Sequence, residues 1–456
     1  MELPAILLRA RDAVDAIARQ SPARLTLTVF SSVIAIETAL LSLPIATTSG
    51  QRAPFADALF MATSAVCVTG LVTTDVANYW SAFGHIVIMF GIMIGGLGVM
   101  TLASILGLAV SRRMGLTTKL LAASETKVSK LGEVGFLVRT VVVTSLSLSV
   151  VLALVFIPRF LVAGFGFGEA LWQGWFMGVS VFNNAGILIL DGGLAPYTTD
   201  WWMVLPVIVG TFLGAVGFPV IVSVWSNWRH PRRWSLHAKL TITTSLALWL
   251  GATVLIGVFE WNNENSFGPL PLHGRILSAM MAGMTPRSSG FSTVDVGNMS
   301  ESTWLMQDAL MFVGGGSAST GGGIKVTTFA VMLLAIVAEA RGDRDIEAFH
   351  RRLGTGVVRL SIAVAFIGAS MVGVGAMLLL VLTDLHLDVI LFEVISAFAT
   401  CGLSTGVTPF LPDSAKYVLV ALMFAGRTGT MTLAAALALR NRRRVIRLPE
   451  ERPIIG

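Results

Sequence analysis

The chain has 456 residues, of which 54% are hydrophobic and 13% charged, with a formal net charge of +6 and a mean hydropathy of +0.78. Soluble domains carry about 25% charged residues, so this composition excludes an ordinary water-soluble enzyme and points to a chain dissolved mainly in lipid. Two cysteines, Cys67 and Cys401, exclude a disulfide framework, and the six histidines show no metal-ligand spacing.

The first 24 residues place Arg9, Asp12, Asp15, Arg19 and Arg24 among apolar positions. That pattern predicts an amphipathic cytoplasmic segment, 1–24, and no cleaved signal. Apolar runs at 25–43, 85–110 and 140–157 follow. Each is long enough for a hydrocarbon core of about 30 Å. Segments 1–24, 111–139, 229–239, 341–359 and 440–452 hold 25 of the 32 lysines and arginines, whereas the loops between them are neutral or acidic. By the positive-inside rule the basic segments and both termini face the cytoplasm. The basic balance is therefore orientation, and no nucleic-acid partner is implied.

Five inside segments imply four similar units. Within each, a short apolar stretch runs into a glycine turn: AVCVTGL (65–71), FNNAGIL (182–188), PRSSGFS (286–292) and ATCGLST (399–405). Their glycines, Gly70, Gly186, Gly290 and Gly402, are 116, 104 and 112 residues apart. The stretches leading in are too short to span and read as re-entrant half-helices. The fold expected is an all-α polytopic membrane protein. It has four parallel repeats, eight spans and four re-entrant half-helices around a central pore. The units are repeat 1 (25–112), repeat 2 (113–228, with a basic cytoplasmic linker), repeat 3 (229–341), repeat 4 (342–441) and a cytoplasmic tail (442–456). Irregular backbone at membrane depth is tolerated where it lines a polar path, and peptide carbonyls can replace an ion's hydration shell. The competing reading is that these glycines only relieve helix crowding.

Repeat 3 carries GGGSASTGGGIKV (314–326) inside a run, 304–340, that as one helix would reach about 55 Å. A break is required. A phosphate-binding loop is excluded because Lys325 follows Gly321 too late and no strand precedes it. An intramembrane gate and a passive hinge both remain open. GFGFGE (164–169) also lacks a strand and reads as a loop. Arg427 lies midway along the last span, where bare charge costs about 2.5–3.5 kcal/mol; it faces either the pore or a carboxylate partner. Lys325 either binds carbonyls of the glycine-rich stretch or snorkels to the interface. Asn183, Asn184, Ser288 and Ser289 are candidates for bracing their turns, and Arg287 for pairing with Asp295.

TSAVCVTGLVTTD (63–75), FNNAGI (182–187), TPRSSGFSTVD (285–295), ATCGLSTGVTP (399–409), SETKVSKLGEVGFLVRTVV (124–142) and GGGSASTGGGIK (314–325) resemble the Trk/Ktr/HKT superfamily of K⁺ transporters, closest to bacterial KtrB pore-forming subunits. The resemblance covers nearly the whole chain. It implies K⁺-binding backbone carbonyls at Val68, Thr69 and Gly70; Asn184, Ala185 and Gly186; Ser288, Ser289 and Gly290; and Thr400, Cys401 and Gly402. A glycine at position 70, where some plant relatives that favour Na⁺ have serine, argues for K⁺. The resemblance also implies a gate formed by Gly314, Gly315, Gly316, Ser317, Ala318, Ser319, Thr320, Gly321, Gly322 and Gly323, with Lys325 and Arg427. K⁺ is the transported ion expected, Na⁺ a further candidate, with no organic cofactor. The expected setting is the bacterial plasma (inner) membrane, as a multi-pass homodimer in contact with lipid and with a cytosolic RCK-type nucleotide-binding regulatory ring. The alternative function is a Na⁺-coupled K⁺ symporter working by alternating access. An intramembrane enzyme would need a polar catalytic cluster, and neither HExxH nor paired intramembrane carboxylates are found.

Overall fold

The computed structural model describes residues 22–113 and 132–429. The expected N-terminal amphipathic segment, most of the basic linker of repeat 2, the end of repeat 4 and the tail lie outside the described residues. Among the described residues the chain is helical apart from its connections and one small hairpin.

With the four expected intervals kept only as labels, repeat 1 holds α1 (Pro22–Leu41), α2 (Phe55–Val66) and α3 (Ala82–Arg113), which begin and end slightly outside 25–112. Repeat 2 contributes α4 (Gly132–Val162), α5 (Phe167–Asn183), α6 (Trp201–Val216) and α7 (Phe218–Ser226). Repeat 3 contributes α8 (Leu236–Glu260), α9 (Leu272–Met284), α10 (Glu301–Phe312) and α11 (Val326–Arg341). Repeat 4 opens with a hairpin, β1 (Ile346–Ala348) and β2 (Arg351–Leu353), paired antiparallel. It continues with α12 (Thr355–Leu382), α13 (Leu387–Phe398) and α14 (Asp413–Phe424), which runs into a π-turn at Ala425–Gly429.

Local chemistry sets these boundaries. Pro54 and Pro271 immediately precede α2 and α9, where a missing amide and a fixed φ suit a helix start. Asp200 accepts from Trp202 N at 2.9 Å and Met203 N at 3.3 Å to cap α6, and Ser235 caps α8 through Ala238 N at 3.1 Å. Asp57, Glu169 and Asp388 sit in the first turns of α2, α5 and α13, complementing the positive end of each dipole. GFGFGE is only partly a loop: its last three residues already belong to α5.

Four helical stretches are long and apolar enough to cross a membrane among the described residues: Ala82–Thr101, Val138–Val162, Leu236–Glu260 and Gly356–Leu382. A fifth candidate is the α6–α7 pair, bent by 99°. The bend falls at Gly217, with φ 90°. The faces of α4, α8 and α12 bearing Val151, Leu154, Val254, Val258, Phe366 and Val381 are exposed and apolar, as lipid contact requires. Inside, α2, α5, α9 and α13 carry the buried aromatic and small side chains that pack the helices together, among them Phe60, Phe176, Phe182 and Phe398.

Repeat 4 closes on repeat 1 through a charged contact. Lys416 Nζ on α14 donates to Asp57 Oδ1 on α2 at 2.9 Å, with Asp413 Oδ1 at 3.5 Å. Lys416→Ala should leave Asp57 uncompensated and cost about 3 kcal/mol. The measurement is the thermal midpoint in detergent, and Lys416→Met combined with Asp57→Asn should recover most of the loss. An unchanged midpoint in Lys416→Ala would mean that the pair is fully solvated.

Candidate functional site

The four short helices α2, α5, α9 and α13 end at the four glycine turns, and the turns converge. A Cβ on Gly70 would lie 2.5 Å from Ala185 O; on Gly186, 2.6 Å from Ser289 O; on Gly290, 2.8 Å from Cys401 O. On Gly402 it would strike Thr69 O and approach Gly70 Cα at 2.9 Å. Each glycine thus abuts the residue before the glycine of the following repeat, and the fourth returns to the first. Cys67 and Cys401, in the first and fourth turns, are buried and free.

Backbone conformation repeats with the same regularity. Val68, Asn184, Ser288 and Thr400, each two residues before its glycine, have φ of 53°, 59°, 77° and 46°. The glycines follow at 99°, 68°, 66° and 95°. For β-branched Val68 and Thr400 this is a rare conformation, sustained where the surroundings over-determine it. Part of that restraint is a serine six residues before the glycine. Ser64 Oγ accepts from Gly70 N at 3.0 Å, and Ser396 Oγ accepts from Gly402 N at 3.1 Å. Ser180 Oγ donates to Ile187 O at 2.6 Å. In repeat 3 the position holds Met284, whose Sδ takes Arg287 Nη2 at 3.2 Å.

The expected pairing of Arg287 with Asp295 is not found. Asp295 instead accepts from Gly297 N and Asn298 Nδ2, both at 3.0 Å, closing an Asx-type turn, and Arg287 is buried beside Met284. Asn183 Nδ2 donates to Val179 O at 2.9 Å on its own helix, and Ser289 Oγ to Thr285 O at 3.3 Å. With its carboxamide oriented to satisfy its neighbours, Asn184 donates to Val181 O and Thr211 O and accepts from Thr320 Oγ1 at 3.1 Å.

The glycine-rich stretch breaks repeat 3 between α10 and α11, with Val313 and Ile324 paired at its mouth. It packs against the turns on one side and against the α6–α7 bend on the other. Gly316 N donates to Ala215 O at 2.7 Å, Thr320 N to Gly214 O at 3.3 Å, and Phe218 N to Ala318 O at 3.2 Å. Lys325 Nζ donates to Gly321 O at 2.6 Å. Arg427 Nη1 donates to the carbonyl of Thr320. Buried Arg427 and half-buried Lys325 therefore both rest on peptide oxygens of one loop, which leaves each charge largely desolvated but hydrogen-bonded. Ser317 Oγ meets Thr327 Oγ1 at 3.1 Å.

Three buried carboxylates were missed by the sequence reading. Glu393 accepts from Ser404 Oγ, Thr405 N and Thr405 Oγ1 at 2.7, 2.8 and 3.1 Å and from Thr408 Oγ1 at 2.6 Å, pinning the segment after the fourth turn. Glu260 accepts from Ser300 N at 2.9 Å and from the Ser266 and Ser300 hydroxyls at 2.5 and 2.6 Å; it also accepts from Thr303 Oγ1. Glu37 is 4% exposed and lies against Gly91 of α3. A lone acid in an apolar run is a signal in itself; Glu37 carries it, whereas Glu260 ends its helix beside Asn262, Asn263 and Glu264. Among the described residues, no three His, Cys, Asp or Glu side chains group as a metal site.

The TrkH family, described as cation transport proteins, matches residues 12–442. Ktr system potassium uptake protein B of Bacillus subtilis (strain 168) is 33% identical over 446 residues, spanning 98% of this chain and 99% of that protein. The Vibrio alginolyticus protein of the same name is 33% identical over 435 residues, 95% of this chain and 94% of its own length. Potassium/sodium uptake protein NtpJ of Enterococcus hirae is 31% identical over 452 residues, 96% and 98% of the two chains. The crystal structure of the potassium transporter TrkH from Vibrio parahaemolyticus shares the fold, with a TM-score of 0.70 at 18% identity over 89% of this chain and 84% of that one. A family match across nearly its whole length, on a helical membrane fold, establishes that the chain belongs to the TrkH family of cation transport proteins, which are transporters and not enzymes.

Proposed function

We propose that this chain is the pore-forming subunit of a K⁺ uptake system, with four parallel helix–half-helix–helix repeats giving eight spans around one pore. The observation that carries this reading is the closed cycle of approaches among Gly70, Gly186, Gly290 and Gly402. Peptide oxygens of Val68, Thr69 and Gly70 and their counterparts in the other three turns take the place of water around the ion. The half-helices aim the negative ends of their dipoles at the same point. Neutral carbonyl dipoles bind weakly enough to release the ion, and an inside-negative potential favours entry by about 2.3 kcal/mol per charge per 100 mV.

Loop 314–323 acts as the gate below this filter. Arg427 and Lys325 hold its carbonyls and add an electrostatic barrier that limits occupancy. Positive-inside asymmetry puts both termini in the cytoplasm of a bacterial cell, with the chain in the inner membrane. Relatives named as parts of a Ktr system support a separate regulatory subunit. We assign it as an RCK-type nucleotide-binding ring on a homodimer, docked on the basic segments 111–139, 229–239 and 341–359. The hairpin β1–β2 gives the last of these a formed surface bearing Arg351 and Arg352. The competing reading is Na⁺-coupled symport. The relative named for both ions favours it, whereas repeats that follow one another around a ring in one sense provide no inverted halves to alternate.

Flux of K⁺ and Na⁺ in proteoliposomes, with and without an imposed Na⁺ gradient, separates the readings: K⁺ entry indifferent to Na⁺ is expected, and obligatory Na⁺ coupling would favour the symporter. Gly290→Ser should cut K⁺/Na⁺ discrimination by about tenfold or more, since its Cβ meets a neighbouring carbonyl and a contact of ~1.4 kcal/mol is a factor of ten; retained discrimination would reject the filter. Deletion of residues 317–321 should raise K⁺ flux, whereas unchanged flux would make the loop a passive hinge. Arg427→Ala with wild-type flux and ion affinity would reject the barrier.

A further inference from the structure

Ser288 stands two residues before Gly290 and is fully buried, in the seam between the third and fourth turns. Its Oγ donates to Thr400 O at 2.8 Å, with Ala399 O at 3.4 Å, and accepts from Gly322 N at 2.9 Å. A hydroxyl has one proton to give, and the nearer carbonyl takes it. The result is a directed chain of hydrogen bonds from a loop amide through a hydroxyl to a carbonyl of the fourth turn.

The loop is pressed into the same seam. A Cβ on Gly321 would lie 3.2 Å from Ser288 Cβ; on Gly322, 2.9 Å from Ala399 O; on Gly323, 3.3 Å from Ala399 Cα. The loop backbone lies directly against the Ala399 backbone and the Ser288 and Thr400 side chains, and a Cβ on Gly322 would meet the Thr400 hydroxyl first, so seating the loop and forming the Gly322–Ser288 bond are one event. Thr400 itself is held at φ 46°, a conformation that a β-branched residue keeps only under restraint. The hydrogen bond onto its carbonyl is one such restraint. Hydrogen bonds in series polarise one another, so losing the Gly322 amide weakens the bond that Ser288 makes to Thr400.

We propose that Ser288 is a positioning residue that couples the glycine-rich loop to ion discrimination. With the loop seated, its hydroxyl draws the Thr400 oxygen toward the seam; when the loop withdraws, that oxygen returns to the ion path. The proposal rests on reading the turns as the filter and the loop as the gate. One quarter of the innermost carbonyl ring then differs between the two states of the loop, and so does the preference among ions.

The test compares K⁺/Na⁺ flux ratios in proteoliposomes of the full chain, for wild type, Ser288→Ala, the 317–321 deletion and the two combined. Ser288→Ala should shift the ratio by about fivefold, the factor that one ordinary hydrogen bond is worth. The deletion should shift it in the same direction. The combination should go no further than the larger single change, because both cut the same chain. A wild-type ratio in Ser288→Ala, or factors that multiply in the combination, would overturn the coupling. Ser288→Cys keeps the volume and a weak donor, and should give a smaller shift of the same sign; it carries the test if the alanine variant does not fold, and a wild-type ratio there overturns the proposal. Gly290→Ser measured alongside separates the two levels: an unchanged ratio in that variant means that the filter reading itself has failed, and a shifted one with multiplying factors means that only the coupling has.

Discussion

Backbone packed on backbone is the constraint from which the rest of this protein follows. Four peptide segments approach so closely that a methyl group at any of four glycines would enter a neighbouring carbonyl. At membrane depth no water stands ready to satisfy the polar groups that irregular backbone exposes. On the proposed reading the turns lie at that depth, and the chain needs either internal partners for those groups or a cation to face them. Serines on the half-helices serve the amides. On the proposed reading, the carbonyls are left for the ion.

In three of the four repeats the segment after the turn departs from a simple span, each in its own way. In repeat 2 the chain bends at Gly217, where a Cβ would lie 2.7 Å from Ser317 O. Repeat 3 opens into the loop, and repeat 4 relaxes into a π-turn at Ala425–Gly429, a form often found at functional sites. Arg427 lies in that turn and reaches Thr320. These three interruptions meet around one loop, whereas α3 of repeat 1 runs unbroken from Ala82 to Arg113. The departures from helical geometry in repeats 2, 3 and 4 are thus matched to one another.

Much of this was legible in the residues, for identifiable reasons. The short helices are apolar, too short to span, and run into glycine turns; α2, α9 and α13 end within two residues of the starts of the turns at 65, 286 and 399. The break in repeat 3 was legible because an unbroken helix would have been too long. The bend at Gly217 was not, because a single glycine in an apolar helix is common in membrane proteins and only contact with the loop makes this one necessary. The hairpin at 346–353 was hidden by its charge, which drew attention to orientation. Arg287 and Asp295 are near in sequence, but Asp295 is within reach of two turn donors closer still. The bond from Ser288 to Thr400 joins residues 112 positions apart, and no local pattern announces it.

Met284 occupies the place that serine holds in the other three half-helices. A tetramer of identical subunits could not make that exception, because every change there is copied fourfold. On the proposed reading all four quarters of the filter are encoded in one polypeptide, and a single codon alters a single corner of the square. Selection can therefore tune such a protein in quarter-steps, trading symmetry for fine adjustment.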